Sequence, residues 1–592
     1  MPLPRPLATL GLLPLLLLAG CAAPQTAARS AGAVSTEQNN FPTREAVAKI
    51  AAAPVPARLS DEKARDVPSW DLTGPLPDAV ERTPPVDDSP WGKLLVEAVV
   101  TRADSVVLTE SMHCVAREQA AFYLANDARP AEMLERFIAA RCGAPTSMGG
   151  TAIQVITGDA RIPDDKLFAQ FHESTRTMIG KTLPPGRVEA GLAYVRKGGR
   201  AVVAIAVVLQ TVRLGRTPVV PGPDGKVVIH GEALVPAVGL RALVNRGRYG
   251  YSECALGTAE KLPRFTITCD TARDDEVAWL SIAALPPGRV LGTPLLEMLV
   301  WPSGAPGKTY AKIVRAPAAA PGASPDEVLQ EINRVRAEAR LSPLRLAEQE
   351  SATAARLAPH YFGALDGGAV DGIPDQVALG LLAGWEVDGM VRNGHFVSTW
   401  LPDASSWAEV VRAALARPLG RETLLDPAAE RVAIGALSTE RAHGAVFSTY
   451  ALFDAYRHDR DAGTIAARIA AMRVDRRASP PRVVAELNQA AERAARTVQA
   501  GQRSPAEALN ELMAHASERL GRSVRGWVAE TNSLEHGKLP DELGTMPSLT
   551  LGIGVAHHRP QGHAWGRFVV FMVLLDEGVG PVTARRDGPH EG

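Results

Sequence analysis

The chain has 592 residues, 46% of them apolar and only 5% aromatic, with 64 basic against 65 acidic side chains. That balance describes a globular, electrically neutral chain and excludes a basic nucleic-acid footprint, so no nucleic-acid partner is expected. At about 150 residues per domain the length asks for roughly three or four domains.

Met1-Pro-Leu-Pro-Arg5 precedes an apolar run from Leu7 to Leu18 and the small residues Ala19 and Gly20, the pattern of a secretory signal. The run is too short to span a bilayer as a helix, and no later segment is long enough. Leu18-Ala19-Gly20-Cys21 resembles the lipobox of bacterial lipoproteins. The resemblance implies that residues 1–20 are removed as a signal peptide and that Cys21 takes a diacylglyceryl group and becomes the new amino terminus. Two or three acyl chains, palmitate among them, bury enough methylenes at about 0.8 kcal/mol each to hold the protein to a membrane. Ala22, where Asp would retain the protein, implies passage to the outer membrane in Gram-negative bacteria, facing periplasm or surface. An ordinary cleavable signal with a chance cysteine is the alternative.

Residues 21–88 are rich in Ala, Pro and Ser, include Pro84-Pro85, and show no sustained periodicity. They read as a mostly disordered tether with one short helix near Arg44 to Ala53. Four cysteines follow Cys21, an even number that in an oxidising compartment favours disulfides. Of the three possible pairings we favour Cys114 with Cys142, joining two predicted helices, and Cys254 with Cys269, joining two neighbouring predicted strands. Four free buried thiols are the alternative.

Internal similarity organises the rest. Arg187-Val-Glu-Ala-Gly191 runs into the apolar Ala201–Leu209, Arg431-Val-Ala-Ile-Gly435 into Ala445–Phe453, and Ser548-Leu-Thr-Leu-Gly552 into Phe568–Leu575. Each reads as a buried antiparallel hairpin, with the three glycines in equivalent places. Pro130-Ala-Glu likewise parallels Pro505-Ala-Glu, both expected to open a helix with proline at its first position. The predicted fold class is therefore α+β, with a first unit at 89–216, a middle unit at 323–458 and a third at 480–578. Between the first two, residues 217–315 show short strands and turns such as Pro221-Gly-Pro-Asp-Gly225, a small inserted β-sandwich.

The middle unit resembles a known family. Asn333-Arg334-Val-Arg336, then Leu341-Ser-Pro343-Leu344, then an alanine-rich helix through Ala352, Ala354 and Ala355 looks like the opening of CAP domains, the cysteine-rich secretory, antigen 5 and pathogenesis-related superfamily. Trp407-Ala-Glu-Val-Val411, Leu425-Asp426-Pro427 and Val432-Ala-Ile-Gly435 resemble its late helix, its Leu-Asp-Pro turn and its core strand. The resemblance covers about 130 residues in the family's order. It implies a three-layer α-β-α sandwich with a cleft, repeated here if the internal similarity carries CAP-like character to the flanking units.

Many CAP clefts hold two histidines and two acidic residues, a set able to bind a divalent metal. Here Pro418-Leu-Gly420-Arg421 stands where the family usually has Ser-x-x-His-Arg, so the second histidine is missing, and no glutamate matches the family's Glu-Asn pair around Val391-Arg392-Asn393. His360 lies near the first histidine's place, and Gly394-His395-Phe396 resembles a signature of eukaryotic members. His360, Glu386 and His395 are the cleft candidates, with a loop or strand histidine making a local hydrogen bond as the plainer reading of His395. His557-His558 and His563 read as a solvated loop, since adjacent strand residues face opposite sides and cannot share an ion. Ser111-Met-His113-Cys114 has the residue types of a nucleophilic site, but neighbours on a helix do not face each other. We find no nucleophile elbow, zinc helix or phosphate loop, and expect no catalytic residue, metal or cofactor.

The expected function is a membrane-tethered, non-catalytic binding or scaffolding protein, its partner a lipid, a peptide, a cell-wall component or another envelope protein. The rivals are a metal-dependent hydrolase of peptide or wall polymer, which requires His360 and His395 to approach an acid in one cleft, and a purely structural spacer.

Overall fold

In the computed structural model, three four-stranded sheets of one design recur along the chain. The structure describes residues 41–55, 64–75 and 89–575, except 66, 101–104, 145–148, 185, 216–218, 220, 223, 258–260, 272–276, 288–290, 303–306, 312–324, 367–371, 403–405, 440–441, 454–460, 536 and 561–562. The signal peptide and Cys21 lie outside the described residues. The fold is mixed α+β, and among the described residues no helix is long and apolar enough to cross a membrane.

Each unit runs helix, short strand, two helices, edge strand, helical connection, hairpin. The short strands are Val106–Leu108, Arg345–Leu346 and Arg482–Val483; each pairs parallel with the first hairpin strand (Val188–Lys197, Arg431–Ser438 or Thr550–His558). The second hairpin strand (Arg200–Leu209, Ala442–Leu452 or Arg567–Leu575) takes the edge strand antiparallel on its far side: Gly149–Thr157, Val391–Pro402 or Val524–Thr531. The hairpin strands are apolar on both faces because both faces are covered. In the first unit, Val202, Ala204 and Ala206 meet the Glu110–Asn126 and Glu132–Cys142 helices. Val203, Ile205 and Val207 meet Trp91 and Leu167 from the Pro90–Val100 and Asp164–Thr182 helices.

The glycines set how closely helix and sheet approach, and here the structure corrects the alignment of the repeats. A Cβ at Gly191 would stand 2.1 Å from His113 N, and one at Gly552 2.3 Å from Leu487 C, at matching places on the Glu110–Asn126 and Ala485–Gln499 helices. A Cβ at Gly435 would stand 2.4 Å from Ala354 O, and the residue meeting the corresponding helix position in the third unit is Gly554, 2.1 Å from Ala491 C. Gly435 therefore matches Gly554 rather than Gly552. Residues two apart on a strand share a face, so a helix backbone can be seated on either.

A buried arginine recurs as well. Arg336, on the Pro325–Glu338 helix, donates to Ser342 O (2.7 Å), Leu424 O (2.8 Å) and Asp426 O (3.1 Å). Arg473, on the Asp461–Asp475 helix, donates to Ser479 O, to Leu543 O (2.7 Å) and to Pro547 O (3.4 Å). Both residues are fully buried. Each guanidinium satisfies carbonyls of the turn that closes its own helix and of the connection entering the hairpin. Asn333 clamps the neighbouring Pro343-Leu344 turn, donating to Leu344 O and accepting from Leu344 N.

Two helix starts that look alike differ. Pro505 is the first residue of its helix behind a Ser504–Glu507 capping box. Pro130 instead ends a short strand, Arg129–Pro130, drawn into parallel pairing with Ala64–Arg65, and its helix begins at Glu132.

Between the first and middle units stand two four-stranded sheets that share one core. The disulfides are Cys114–Cys142 and Cys254–Cys269. The first joins the Glu110–Asn126 and Glu132–Cys142 helices. The second staples neighbouring strands: Cys254 lies where the chain leaves Gly250–Glu253 in one sheet for Ala255–Leu256 in the other, and because Ala255 pairs with Thr268, Cys254 comes opposite Cys269 of Arg264–Asp270.

Part of the stretch expected as tether is folded onto this body. The Arg44–Ala52 helix buries Val47 against Gly380 in the middle unit, where a Cβ would come within 2.6 Å of Val47. Ser69–Asp71 pairs with Thr309–Ala311, and the buried carboxylate of Glu118 accepts from Thr73 N (2.8 Å) and Gly74 N (2.9 Å). Segments of two or three residues carry no periodicity of their own, and their partners are distant in sequence.

Candidate functional site

The middle sheet separates the candidate histidines. On the edge strand, Asn393, His395 and Val397 share one face, and Phe396, Ser398 and Trp400 the other. Val397 packs with Val410, Val411 and Leu424 of the Trp407–Ala416 and Pro418–Leu424 helices. Phe396 and Trp400 pack with Leu357, Ala358 and Phe362 of the Glu348–Asp366 helix, which carries His360. His395 accordingly lies 3.6 Å from Asp426 and within hydrogen-bond reach of Asn393 (2.9 Å), while buried His360 lies across the sheet.

Glu386 is engaged elsewhere. It pairs with Arg44 of the amino-terminal helix (2.9 Å), and its backbone N–H donates to the Glu350 carboxylate (2.8 Å). Burial pushes the Glu350 carboxyl up to about 7 from its ordinary 4.5, against the opposing effects of that N–H and Arg44. A carboxyl so raised takes up a proton on folding: its contribution to stability is fully present below pH 4.5 and is lost as the pH rises through 7. Glu350→Gln is expected to be more stable than the parent at pH 8, by up to about 3 kcal/mol, with the difference vanishing near pH 4. Urea unfolding at both pH values checks this, and an equal difference at both refutes it.

No side chain fits at Gly420, where a Cβ would stand 1.9 Å from Ala414 O. Arg421 beside it donates to Gly247 O (2.8 Å) and Gly250 O (2.6 Å) of the inserted sheets. This stretch is thus an interface between the middle unit and the inserted sheets. Gly394 is pressed against Leu382 O, with Trp565 of the third unit over it; the Trp565 indole donates to that same oxygen (2.8 Å).

His557 and His558 end a strand rather than forming a solvated loop. They face opposite sides of the third sheet: His557 lies 3.3 Å from Asp461 and stacks on Phe453, and His558 lies 2.5 Å from Glu530. The His558 hydrogen bond holds the Glu530 carboxyl below its usual range, and burial lowers His563. Ser111 is buried and Cys114 is disulfide-bonded. Among the described residues, no group of three or more His, Cys, Asp and Glu side chains is placed to hold a metal ion.

A concavity lies where the described residues of the first unit, the inserted sheets and the middle unit meet. It is a cavity of about 240 Å³ walled by Phe137, Trp279, Leu299, Trp301, Tyr310 and Leu401. The guanidiniums of Arg136 and Arg417 lie over the Trp279 ring, 5.5 Å and 5.4 Å from its centre. Those cations are matched by Glu132, which pairs with both, and by Glu297, 3.3 Å from Arg136. Sequence reasoning missed this site because its walls come from six elements with no common motif. The available signal was the placement of two of the chain's nine tryptophans at 279 and 301 in an aromatic-poor sequence.

No protein-family profile matches this chain, and no curated protein sequence matches it.

Proposed function

We propose that the chain is an envelope lipoprotein, anchored through acylated Cys21, whose CAP-like middle unit and two related flanking units serve non-catalytic binding and scaffolding. The observation that carries this reading over a metal hydrolase is the placement of His360 and His395 on opposite faces of the middle sheet. The hydrolase reading needs them in one cleft with an acid, but Asp426 stands beside His395 alone, and Glu386 is taken by Arg44. The close-packed units and the strap that runs from the middle unit to the first suit a rigid body that presents surfaces. The two disulfides are compatible with a location outside the cytoplasm. Metabolic labelling with an alkynyl palmitate in a bacterial host tests the anchor. Label and membrane fractionation are expected for the parent chain, and loss of both for Cys21→Ala. An unlabelled parent, or a Cys21→Ala protein that stays with the membrane, overturns the anchor.

A further inference from the structure

We infer that the cavity between the first unit, the inserted sheets and the middle unit binds a small, neutral, apolar molecule. This deepens the binding reading by naming a ligand class, and it does not depend on the lipid anchor. At about 240 Å³ the space is larger than the ~150 Å³ apolar cavity that accommodates benzene. It sits at a junction of structural units and is walled by aromatic and aliphatic side chains around few polar groups, the make-up of small-molecule sites. The charges beside it are already satisfied by one another, Arg136 and Arg417 by Glu132 and Glu297, which favours an uncharged occupant. Trp279 lines the cavity with its ring alone: its indole nitrogen is sealed within the protein, so the contact it offers an occupant is apolar.

The test uses the whole chain carrying Cys21→Ser, so that no detergent competes. N-phenyl-1-naphthylamine serves as a fluorescent apolar probe, and octane and octanoate serve as competitors of matched length, one neutral and one charged. Saturable uptake of the probe is expected, with displacement by octane and not by octanoate at the same concentration. Ala413→Phe, which puts a ring into the cavity from the Trp407–Ala416 helix, is expected to abolish uptake. Should Ala413→Phe fail to fold, judged by circular dichroism and gel filtration, Trp301→Ala removes a wall without adding bulk and is expected to weaken the probe. Probe uptake that survives both variants overturns the site, and displacement by octanoate as strong as by octane overturns the neutral ligand class. Neither result touches the acylation experiment, so failure here and failure of the anchoring reading are told apart.

Discussion

Arg336→Met is expected to destabilise the middle unit by roughly 3 to 5 kcal/mol, and Arg473→Met to do the same to the third. Each substitution removes donors from three carbonyls, and an abandoned buried acceptor costs about 1–3 kcal/mol. Ser342 O, Leu424 O and Asp426 O lose their partner in the first case; Ser479 O, Leu543 O and Pro547 O lose it in the second. Burial lowers the pKa of Arg336 without making it neutral at ordinary pH, so the guanidinium is a buried cation solvated by the protein's own carbonyls. Lysine cannot stand in, because the carbonyls are met from two separate nitrogens of Arg336, Nε and Nη1, which a single ammonium does not reproduce. Arg336→Lys is therefore expected to recover less than half of the loss. Hydrogen exchange resolved to the middle and third units reads each variant separately, which matters in a chain of several units. A loss under 1 kcal/mol in either unit would show that water reaches those carbonyls.

Gly435→Ala and Gly554→Ala are expected to cost 3 kcal/mol or more each, the upper end of what overpacking does. The new methyl would meet helix backbone, Ala354 O at 2.4 Å and Ala491 C at 2.1 Å, and a helix backbone cannot swing aside as a side-chain end can. Either the helix lifts from the sheet or the strand bends. Gly150→Ala is the control, since a Cβ there meets nothing within 4 Å, and it is expected to change stability by less than 0.5 kcal/mol. Urea denaturation followed by proteolysis of the opened unit measures all three. Similar behaviour of Gly150→Ala and Gly435→Ala would mean the helix is not seated on the glycine.

What was legible in the sequence was what depends on neighbours along the chain. The hairpins announce themselves because strands covered on both faces read as unbroken apolar runs, and the glycines beside them mark where a helix comes close. The register of the repeat was not legible: equal spacing from Gly191 and Gly435 to the ends of their hairpins suggested an equivalence that pairing to the short parallel strands removes. The cysteine pairs follow from locality, yet the crossing of Cys254 between two sheets depends on pairings that no local pattern encodes. The candidate site fared less well for the same reason. His395 lies 35 residues from His360 along the chain, and only the alternation of the Val391–Pro402 strand decides that they face apart. The aromatic cavity is assembled from segments between residues 131 and 416, a spread over which sequence carries no geometric signal.

The amino-terminal strap also fixes how a mechanical load would enter the molecule. A pull at the amino end arrives first at Phe41 and Pro42, held between Trp565 of the third unit and Trp385 of the middle one. It passes next to the Arg44–Ala52 helix, and only then to the short pairings at Ala64–Arg65 and Ser69–Asp71. Tension is thus taken up in series by contacts on the outside of the units, while the hydrogen bonds of the three sheets lie off the line of force. The strap would peel before any sheet shears, and peeling it would free Glu386 from Arg44 while the first unit is still held to the inserted sheets.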